Sequence, residues 1–271
     1  MPKPAEKRKR EIARKFSRSS IDAPVYLETE IANLSDFFAV FHVLLEPRTI
    51  FWFRGHSSLE YELAPSALPN RSQDERERAL GLVDEMKRFL GMKLSRPPEA
   101  GDQLGWMQVA QHYGLPTRLL DWTQNAAVAL FFACASNVEK DGVVVVLNPI
   151  ELNQMVDPRL ARILNPQRDA DLIRPYFNLD GKKSTRGKRT IAINPTWNSE
   201  RIALQQGCFT FHGSREFSLS RSQASSLLCV PILAEHKKSL LNELERVGIG
   251  EMFIFPEPEH VCSHLRRWAR L

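Results

Sequence analysis

The sequence predicts a single mixed α+β domain, and three observations support this. Short β-branched and aromatic runs at 49–55 and 142–149 are typical of buried strands. Longer segments at 74–94 and 235–247 repeat apolar residues at helical spacing. The 271 residues, 43% of them hydrophobic, are enough to bury one large core. Strands and helices interspersed in this way predict one α+β domain.

The first elements are a helix, a strand and a second helix. Ser35 suits the N-cap of a helix that ends before Pro47. Residues 49–55 lack alternation, which predicts a strand buried on both faces. The helix at 74–94 begins with acidic residues, which are favourable at a helix N-terminus.

Two helices separated by a polar corner come next. A helix at 102–113 ends before Gly114, a residue type favoured just after a helix. An almost wholly apolar helix at 125–136 follows, and Thr123 or Asp121 can cap it. The residues between the two helices are therefore interpreted as a corner.

The rest of the chain is predicted to contain short strands and two helices. Residues 150–190 are polar and interrupted by prolines, so loops and short helices are expected there. The amphipathic helix at 235–247 precedes a closing helix at 259–269. Short strands are predicted at 191–194, 208–212, 227–233 and 252–256.

Positive charge is concentrated in two places, although the net charge is a modest +5. Residues 1–22 form a basic, flexible arm ahead of a domain at 23–271, and a second basic cluster lies at 182–189. Such clusters attract the phosphates of a nucleotide or a nucleic acid. The alternative is a solvated tail and a solvated loop.

Cysteine usage and hydropathy predict a cytoplasmic protein without metal or membrane. The four cysteines form no Cys-x-x-Cys pair, which argues against disulfides and a thiolate zinc site. No apolar run approaches the roughly 18–20 residues that cross a bilayer, and the N-terminus lacks the apolar core of a signal peptide. A phosphate-binding Gly-Lys-Ser/Thr loop, a dinucleotide fingerprint and a Gly-x-Ser-x-Gly motif are also missing.

Polar residues beside apolar runs mark a candidate site. Arg54 ends a predicted strand, where its guanidinium can project into a cleft and Gly55 lets a ligand approach the backbone. His112, Arg118 and Asp121 surround one Gly-Leu-Pro turn, so the imidazole can act as donor, acceptor or proton carrier. The alternatives are a structural ion pair of Arg54 and a corner in which Asp121 caps a helix and Arg118 satisfies carbonyls.

A third segment adds amides to this site. Arg201 precedes Gln205 and Gln206, and a glycine then opens a predicted strand. Amides beside a glycine suit recognition of a polar ligand, because each offers a donor and an acceptor. Glutamines are also common on edge strands, which is the structural alternative.

The chain resembles the FRG domain family, which is named for a Phe-Arg-Gly motif, here residues 53–55. The family's Gln-His-Tyr-Gly-Leu-Pro-Thr-Arg-Leu-Leu-Asp-Trp-Thr block is intact at 111–123, and its Arg-Ile-x-x-Gln-x-Gly-x-Phe block lies at 201–209. The resemblance spans about 28–268. It implies a domain without an assigned reaction that occurs in bacterial and phage-related settings, such as a toxin or a phage-defence effector.

A second resemblance, to mono-ADP-ribosyltransferases, implies a small, partly split β-sheet core and NAD as the substrate. The aromatic-Arg-Gly strand is similar to the one whose arginine holds the NAD phosphates in those enzymes. Gln205 or Gln206 stands where they carry a catalytic glutamate, and no Ser-Thr-Ser strand is visible. Either another acid, Asp121 or Glu200, takes the glutamate's part, or the site performs different chemistry.

This second resemblance implies roles for the candidate residues. Two arginines would hold the phosphates, the histidine would contact the ribose or the leaving group, and the aspartate would orient and polarise. The expected catalytic residues are Arg54, His112, Asp121 and Gln205. The expected NAD-binding residues are Arg54, Gly55, Gln111, Arg118, Thr123, Arg201 and Gln206. Two other functions stay open: a module that grips the phosphodiesters of nucleic acid, and a nucleotide sensor without chemistry.

Overall fold

A computed structural model describes most of the chain. The described residues are 25–44, 49–67, 72–177, 189–196, 199–213, 218–219 and 226–269, with Lys7 and Glu11. The expected basic arm, apart from those two residues, and the basic cluster, apart from Arg189, lie outside these ranges.

The described strands form one mixed sheet of seven strands in the order β1-β7-β4-β2-β3-β6-β5. Neighbouring strands are antiparallel except for β1, which runs parallel to β7. The strands are β1 (Val25–Tyr26), β2 (Trp52–His56), β3 (Leu119–Thr123), β4 (Gly142–Leu147), β5 (Ile191–Ile193), β6 (Gly207–Phe211) and β7 (Leu227–Ile232).

Helices cover both faces of this sheet, which confirms the predicted α+β class. The described helices are α1 (Leu34–Leu44), α2 (Gln73–Leu90), α3 (Gln103–His112), α4 (Ala126–Cys134), α5 (Pro149–Val156), α6 (Ala170–Ile173), α7 (Glu200–Leu204), α8 (Ala234–Arg246), α9 (Glu251–Ile254) and α10 (Pro258–Trp268), with a 3-10 turn at Arg174–Tyr176. None of them is long and apolar enough to cross a membrane.

Strand β4 shows how the core is arranged. All of its residues are buried, as its continuous apolar run predicts. Val144 and Val146 face a cluster built with α1, α4 and α8. Val143 and Val145 face a second cluster that contains Trp52. The strand therefore separates two apolar layers.

Two elements differ from the sequence-based prediction. Residues 119–123, expected to form a corner, are strand β3, and the N-cap of α4 is Asn125, whose side chain accepts a hydrogen bond from the Ala127 amide. Residues 252–256, expected to form a strand, lie mostly in helix α9, whose first turn includes a bond from the Ile254 amide to the Gly250 carbonyl. A short apolar run has no periodicity that separates a strand from a buried helix.

Candidate functional site

The sheet comes apart between β2 and β3. Within these two fully described strands, Phe53 opposite Thr123 is the single pair that joins them. By contrast, β2 pairs with β4 at five positions and β3 pairs with β6 at five. A hollow of about 270 Å³ opens beside that pair and is called the split hollow below.

The split hollow has an apolar wall and a polar wall. Helix α4 and the two strands supply most of the apolar wall. Its polar residues are Arg54, Gln108, Gln111, His112, Asp121, Thr123, Arg201 and Gln205. With Gly55, which also lies at the hollow, eight of the ten predicted site residues meet there; Arg118 and Gln206 do not line it.

Arg54 is held at the split by two hydrogen bonds. Its Nε donates to His56 Nε2 at 2.9 Å, and its Nη1 donates to the Asp121 carbonyl oxygen at 2.6 Å. Burial lowers the pKa of the guanidinium and the nearby Asp121 charge opposes that shift. An arginine keeps its charge at neutral pH even so. The guanidinium therefore bridges the two diverging strands as a fixed cation.

His56, which the sequence analysis did not select, orients this arginine. It is 4% exposed, and burial together with the Arg54 charge lowers its pKa to about 3. The neutral ring accepts the Arg54 Nε hydrogen through Nε2. The signal was present in the sequence, because alternate residues of a strand share a face and His56 follows Arg54 by two.

The Asp121 carboxylate faces the split hollow. Strand β3 is buried except at this central residue, which is exposed. Its main-chain carbonyl holds Arg54, but its carboxylate makes no hydrogen bond or ion pair with the residues that the structure describes. A rigid strand thus presents a free carboxylate beside a fixed guanidinium.

Helix α3 contributes three polar side chains from one face. Gln108, Gln111 and His112 are spaced three and four residues apart, which places them together on a helix. Gln111 Oε1 accepts a hydrogen bond from Thr117 Oγ1 at 2.5 Å. Burial, followed by the Arg201 charge, lowers the pKa of His112, while Glu257 opposes the shift. The ring is therefore neutral at physiological pH.

Glu257 joins the site from the far end of the sequence, and the sequence analysis missed it. Its Oε1 lies 3.7 Å from His112 Nε2 and 3.5 Å from Arg201 Nη1. Both of its carboxylate oxygens are shielded from solvent and make no hydrogen bond within the described ranges. The Arg201 guanidinium also lies 4.8 Å from the centre of the Phe255 ring. Glu257 occupies the N-cap position of α10, three residues after the end of α9, and no local sequence pattern connects it with the site.

Gln205 and Thr123 line the hollow and are held in place by hydrogen bonds to the main chain. Gln205 caps the C-terminus of α7 rather than lying on a strand, and its Nε2 donates to the Ile254 carbonyl oxygen at 2.8 Å. Thr123 Oγ1 donates to the Gln205 carbonyl oxygen at 2.5 Å and accepts from the Asn125 amide at 2.9 Å. For contact with a ligand, the Gln205 side chain therefore offers only its amide oxygen, Oε1. Thr123 contributes to the wall of the hollow.

Arg118 does not lie where the phosphate-binding hypothesis requires it. It is 1% exposed, and its Nε and Nη2 both donate to the His212 carbonyl oxygen while Nη1 donates to that of Tyr176. Burial lowers its pKa to about 10. The residue satisfies buried carbonyls, which is the structural alternative stated for it, so its assignment to the phosphates is wrong.

Gly55 and Gln206 have structural roles that the sequence analysis did not foresee. A Cβ at Gly55 would lie 1.9 Å from the Ala129 carbonyl oxygen, so this glycine is needed for the close approach of α4 to β2, and its contact with a ligand stays a prediction because it also lines the hollow. Gln206 has a φ of +47° and is exposed in the turn between α7 and β6. Its main-chain oxygen accepts a bond from the Gln124 amide, and its side chain does not line the hollow.

Comparison with known proteins gives one match. Residues 49–142 match the FRG domain. The matched segment includes Arg54, Gln108, His112 and Asp121, so most of the polar wall of the split hollow lies within it. No curated protein and no solved structure matches the chain. The wider domain expected at 23–271 stays a prediction beyond the matched segment.

Proposed function

Starting from the FRG domain at 49–142, we propose that this protein is an ADP-ribosyltransferase-like enzyme that binds NAD at the split hollow. The observation that carries the proposal is a pair of opposite charges at the split. The Arg54 guanidinium is fixed by two hydrogen bonds, and the Asp121 carboxylate beside it has no partner among the described residues. A phosphate suits the first group, and a developing positive charge suits the second.

Arg54 keeps donors for a phosphate. A guanidinium carries five N–H groups, and the two observed bonds to His56 and Asp121 use two of them. Three are left for ligand oxygens, and the planar fork matches the spacing of phosphate oxygens. Because His56 and the β3 backbone already fix the plane of the Arg54 guanidinium, little side-chain entropy is lost when a phosphate binds.

The dimensions of the site fit a dinucleotide that lies across Arg54. At about 270 Å³ the split hollow is near the lower limit of small-molecule sites, roughly 300–1,000 Å³, and suits one half of NAD. A second hollow of about 530 Å³ shares Arg54, Gly55 and Phe132 with the first. In the proposal the pyrophosphate lies at Arg54, with one nucleoside in each hollow.

In the proposal, Asp121 stabilises the developing positive charge, a role that the resemblance to mono-ADP-ribosyltransferases gave to Gln205. The Gln205 amide nitrogen is engaged by the Ile254 carbonyl, and an amide stabilises positive charge weakly. The Asp121 carboxylate makes no hydrogen bond to the described residues and stands on a strand, which gives it a fixed position. Glu200, the other acid considered, lies on α7 and does not line the split hollow.

The proposed step is a displacement at the ribose. The bond between C1′ and the nicotinamide nitrogen breaks, and nicotinamide leaves as a neutral molecule with the electron pair. A lone pair of the acceptor forms the new bond to C1′, and the acceptor's proton passes to a base or to water. Asp121 stabilises the positive charge that spreads over C1′ and the ring oxygen in the transition state.

Labelled NAD tests the proposal. Incubated with cell extract, the wild-type protein is expected to transfer label or consume NAD. Asp121→Asn should lower turnover by about 10²–10³-fold and leave NAD binding in place, since it removes charge stabilisation alone. Arg54→Ala should weaken binding roughly tenfold to a hundredfold. Asp171→Asn, at an exposed aspartate outside the hollow, is the matched control and should change neither quantity.

The outcomes separate the competing functions. Binding of NAD without turnover in the wild type identifies a nucleotide sensor, and absence of binding by calorimetry rejects the proposal. The nucleic-acid partner stays a prediction, because nearly all of the arm and of the basic cluster lies outside the described residues. A complex held by phosphates should weaken steeply as salt rises, and a flat salt response would exclude it.

A further inference from the structure

Gln108 is a buried amide that faces the split hollow and was not selected from the sequence. It is 1% exposed and lies one helical turn before His112 on α3. Both Nε2 and Oε1 are shielded from solvent, and neither has a hydrogen-bond partner in the part of the chain that the structure describes. A buried polar atom left without a partner destabilises the folded protein, and a ligand that pairs with it removes that cost.

The other amides of the hollow differ from Gln108. Gln111 Oε1 is engaged by Thr117, and Gln205 Nε2 is engaged by the Ile254 carbonyl. Among these three glutamines, both ends are unengaged in Gln108 alone, as judged over the described residues. Gln108 thus lines the hollow with an amide whose donor and acceptor both lack a partner among the described residues.

The rest of the hollow indicates what occupies that space. Its apolar residues include Phe53, Val128, Phe132 and Phe209, which offer flat and branched surfaces to a ring. A planar ring that packs against these side chains can turn its edge toward the Gln108 amide. An aliphatic polar ligand would leave the aromatic surface uncovered.

We infer that Gln108 recognises a planar ring group that carries a hydrogen-bond donor and an acceptor side by side. A primary carboxamide has this arrangement, and so does the amino edge of adenine. A carboxylate does not, because its two acceptors would oppose Gln108 Oε1. The inference deepens the proposed function and rests on it for the choice of ligand, since NAD carries a carboxamide on nicotinamide and an amino edge on adenine.

Matched ligands and matched variants test this role. Calorimetry measures the Kd of nicotinamide mononucleotide against nicotinate mononucleotide, and of AMP against purine riboside 5′-monophosphate, which lacks the amino donor beside N1. Gln108→Met removes both polar atoms and keeps an unbranched side chain of similar length. Gln103→Met makes the same change on the exposed side of the same helix and serves as the control.

In at least one of the two pairs, the wild type is expected to bind the first ligand, nicotinamide mononucleotide or AMP, more tightly than the second by roughly tenfold to a hundredfold. Gln108→Met should bring that ratio close to one, and Gln103→Met should preserve it. Preference in the first ligand pair assigns Gln108 to nicotinamide, and preference in the second assigns it to adenine.

Two results would overturn the inference: a ratio that survives in Gln108→Met, or a wild type that shows no preference or no binding in either pair. A thermal melt of each variant distinguishes ligand recognition from mere burial. A glutamine that is only a buried polar residue would leave the ratio unchanged while its replacement by methionine raises the Tm. A ligand preference that Gln108→Met abolishes, in a protein whose wild type does not turn over NAD, means that the proposed enzyme activity alone has failed. Turnover of NAD by the wild type, with a preference that survives in Gln108→Met, means that this inference alone has failed.

Discussion

At the scale of single residues, the two arginines of the predicted site are in opposite environments. Arg54 makes two hydrogen bonds, so three of its five N–H groups have no partner among the described residues. Arg118 directs three N–H groups at two main-chain carbonyls in the core. A sequence shows both residues next to apolar runs. Which of them reaches a hollow depends on strand pairing, so residue type alone could not separate them.

Replacing each arginine by leucine should therefore give different defects. Arg118→Leu leaves the Tyr176 and His212 carbonyls unpaired in the core, and we expect the free energy of unfolding to fall by about 2–5 kcal/mol. Arg54→Leu should keep the protein folded and reduce ligand affinity. Urea denaturation and calorimetry measure the two effects. The assignment of Arg118 as structural would be wrong if its leucine variant were as stable as the wild type.

His56 makes the stability depend on pH. Its pKa is lowered to about 3 in the folded protein from the ordinary 6.5, so the unfolded chain binds the extra proton between these values. The free energy of unfolding should consequently fall as the pH decreases from about 6.5 to about 3, by up to about 1.4 kcal/mol per pH unit.

Stability curves of variants isolate this contribution. His56→Gln removes the titrating ring and retains an acceptor for Arg54, so its stability should fall less steeply over that pH range. His42→Gln, at an exposed position of α1, should keep the wild-type slope. Equal slopes in all three proteins would show that the pKa of His56 does not differ between the folded and unfolded states.

At the scale of elements, the contact between α4 and β2 fixes the apolar wall of the hollow. The backbone of α4 lies so close to Gly55 that a Cβ there would meet the Ala129 carbonyl oxygen at 1.9 Å and the Ala133 nitrogen at 2.6 Å. Backbone atoms cannot rotate away as side chains do. Helix and strand are therefore held at a distance that glycine permits.

Two glycine-to-alanine substitutions test this contact. Gly55→Ala should lower the free energy of unfolding by about 3 kcal/mol, at the upper end of overpacking costs. Gly81→Ala on α2, where no atom lies within 4 Å of a new Cβ, should raise it by about 0.5–1 kcal/mol. Thermal melts of both variants measure the difference. A fully stable Gly55→Ala protein would contradict the close approach.

Elements whose apolar residues repeat at a clear spacing, or whose ends carry a capping residue, were predictable. Short elements without such signals were not. Helix α8 and strand β4 lie close to their predicted bounds, because one repeats leucines at helical spacing and the other is a run of valines. Strand β3 was missed, since LLDWT lies between helices with no turn signal of its own. It is completed by pairing with β6, a contact more than eighty residues away.

At the scale of the whole molecule, the single pair between β2 and β3 divides the sheet into two parts. The first part contains β1, β7, β4 and β2, and the second contains β3, β6 and β5. The mixed fold was predictable from composition and pattern. The sharing of one site by Arg54 and Asp121 was also predicted. The presence of Gln108 and Glu257 near this division was not, because it depends on contacts between distant segments.

Hydrogen exchange should reveal this division. Amides between β2 and β4, paired at five positions, should exchange slowly, and amides on the β2–β3 side should exchange faster. A bound nucleotide that contacts Arg54 and Asp121 should slow exchange on the β2–β3 side and leave the β4–β7 pairs unchanged. Mass spectrometry of exchanged peptides measures both, and uniform protection along β2 would contradict the expectation.

The place where the FRG match stops has a practical consequence for dissecting the protein. The match ends at Gly142, the first residue of β4, and the neighbour of β4 in the sheet is β7, which follows more than eighty residues later. A fragment cut at that boundary would lose the middle of its sheet and expose the apolar face of α4 to solvent. We expect such a fragment to aggregate. The part of the chain that comparison recognises is thus smaller than the part that must be expressed together, which runs from β1 to α10.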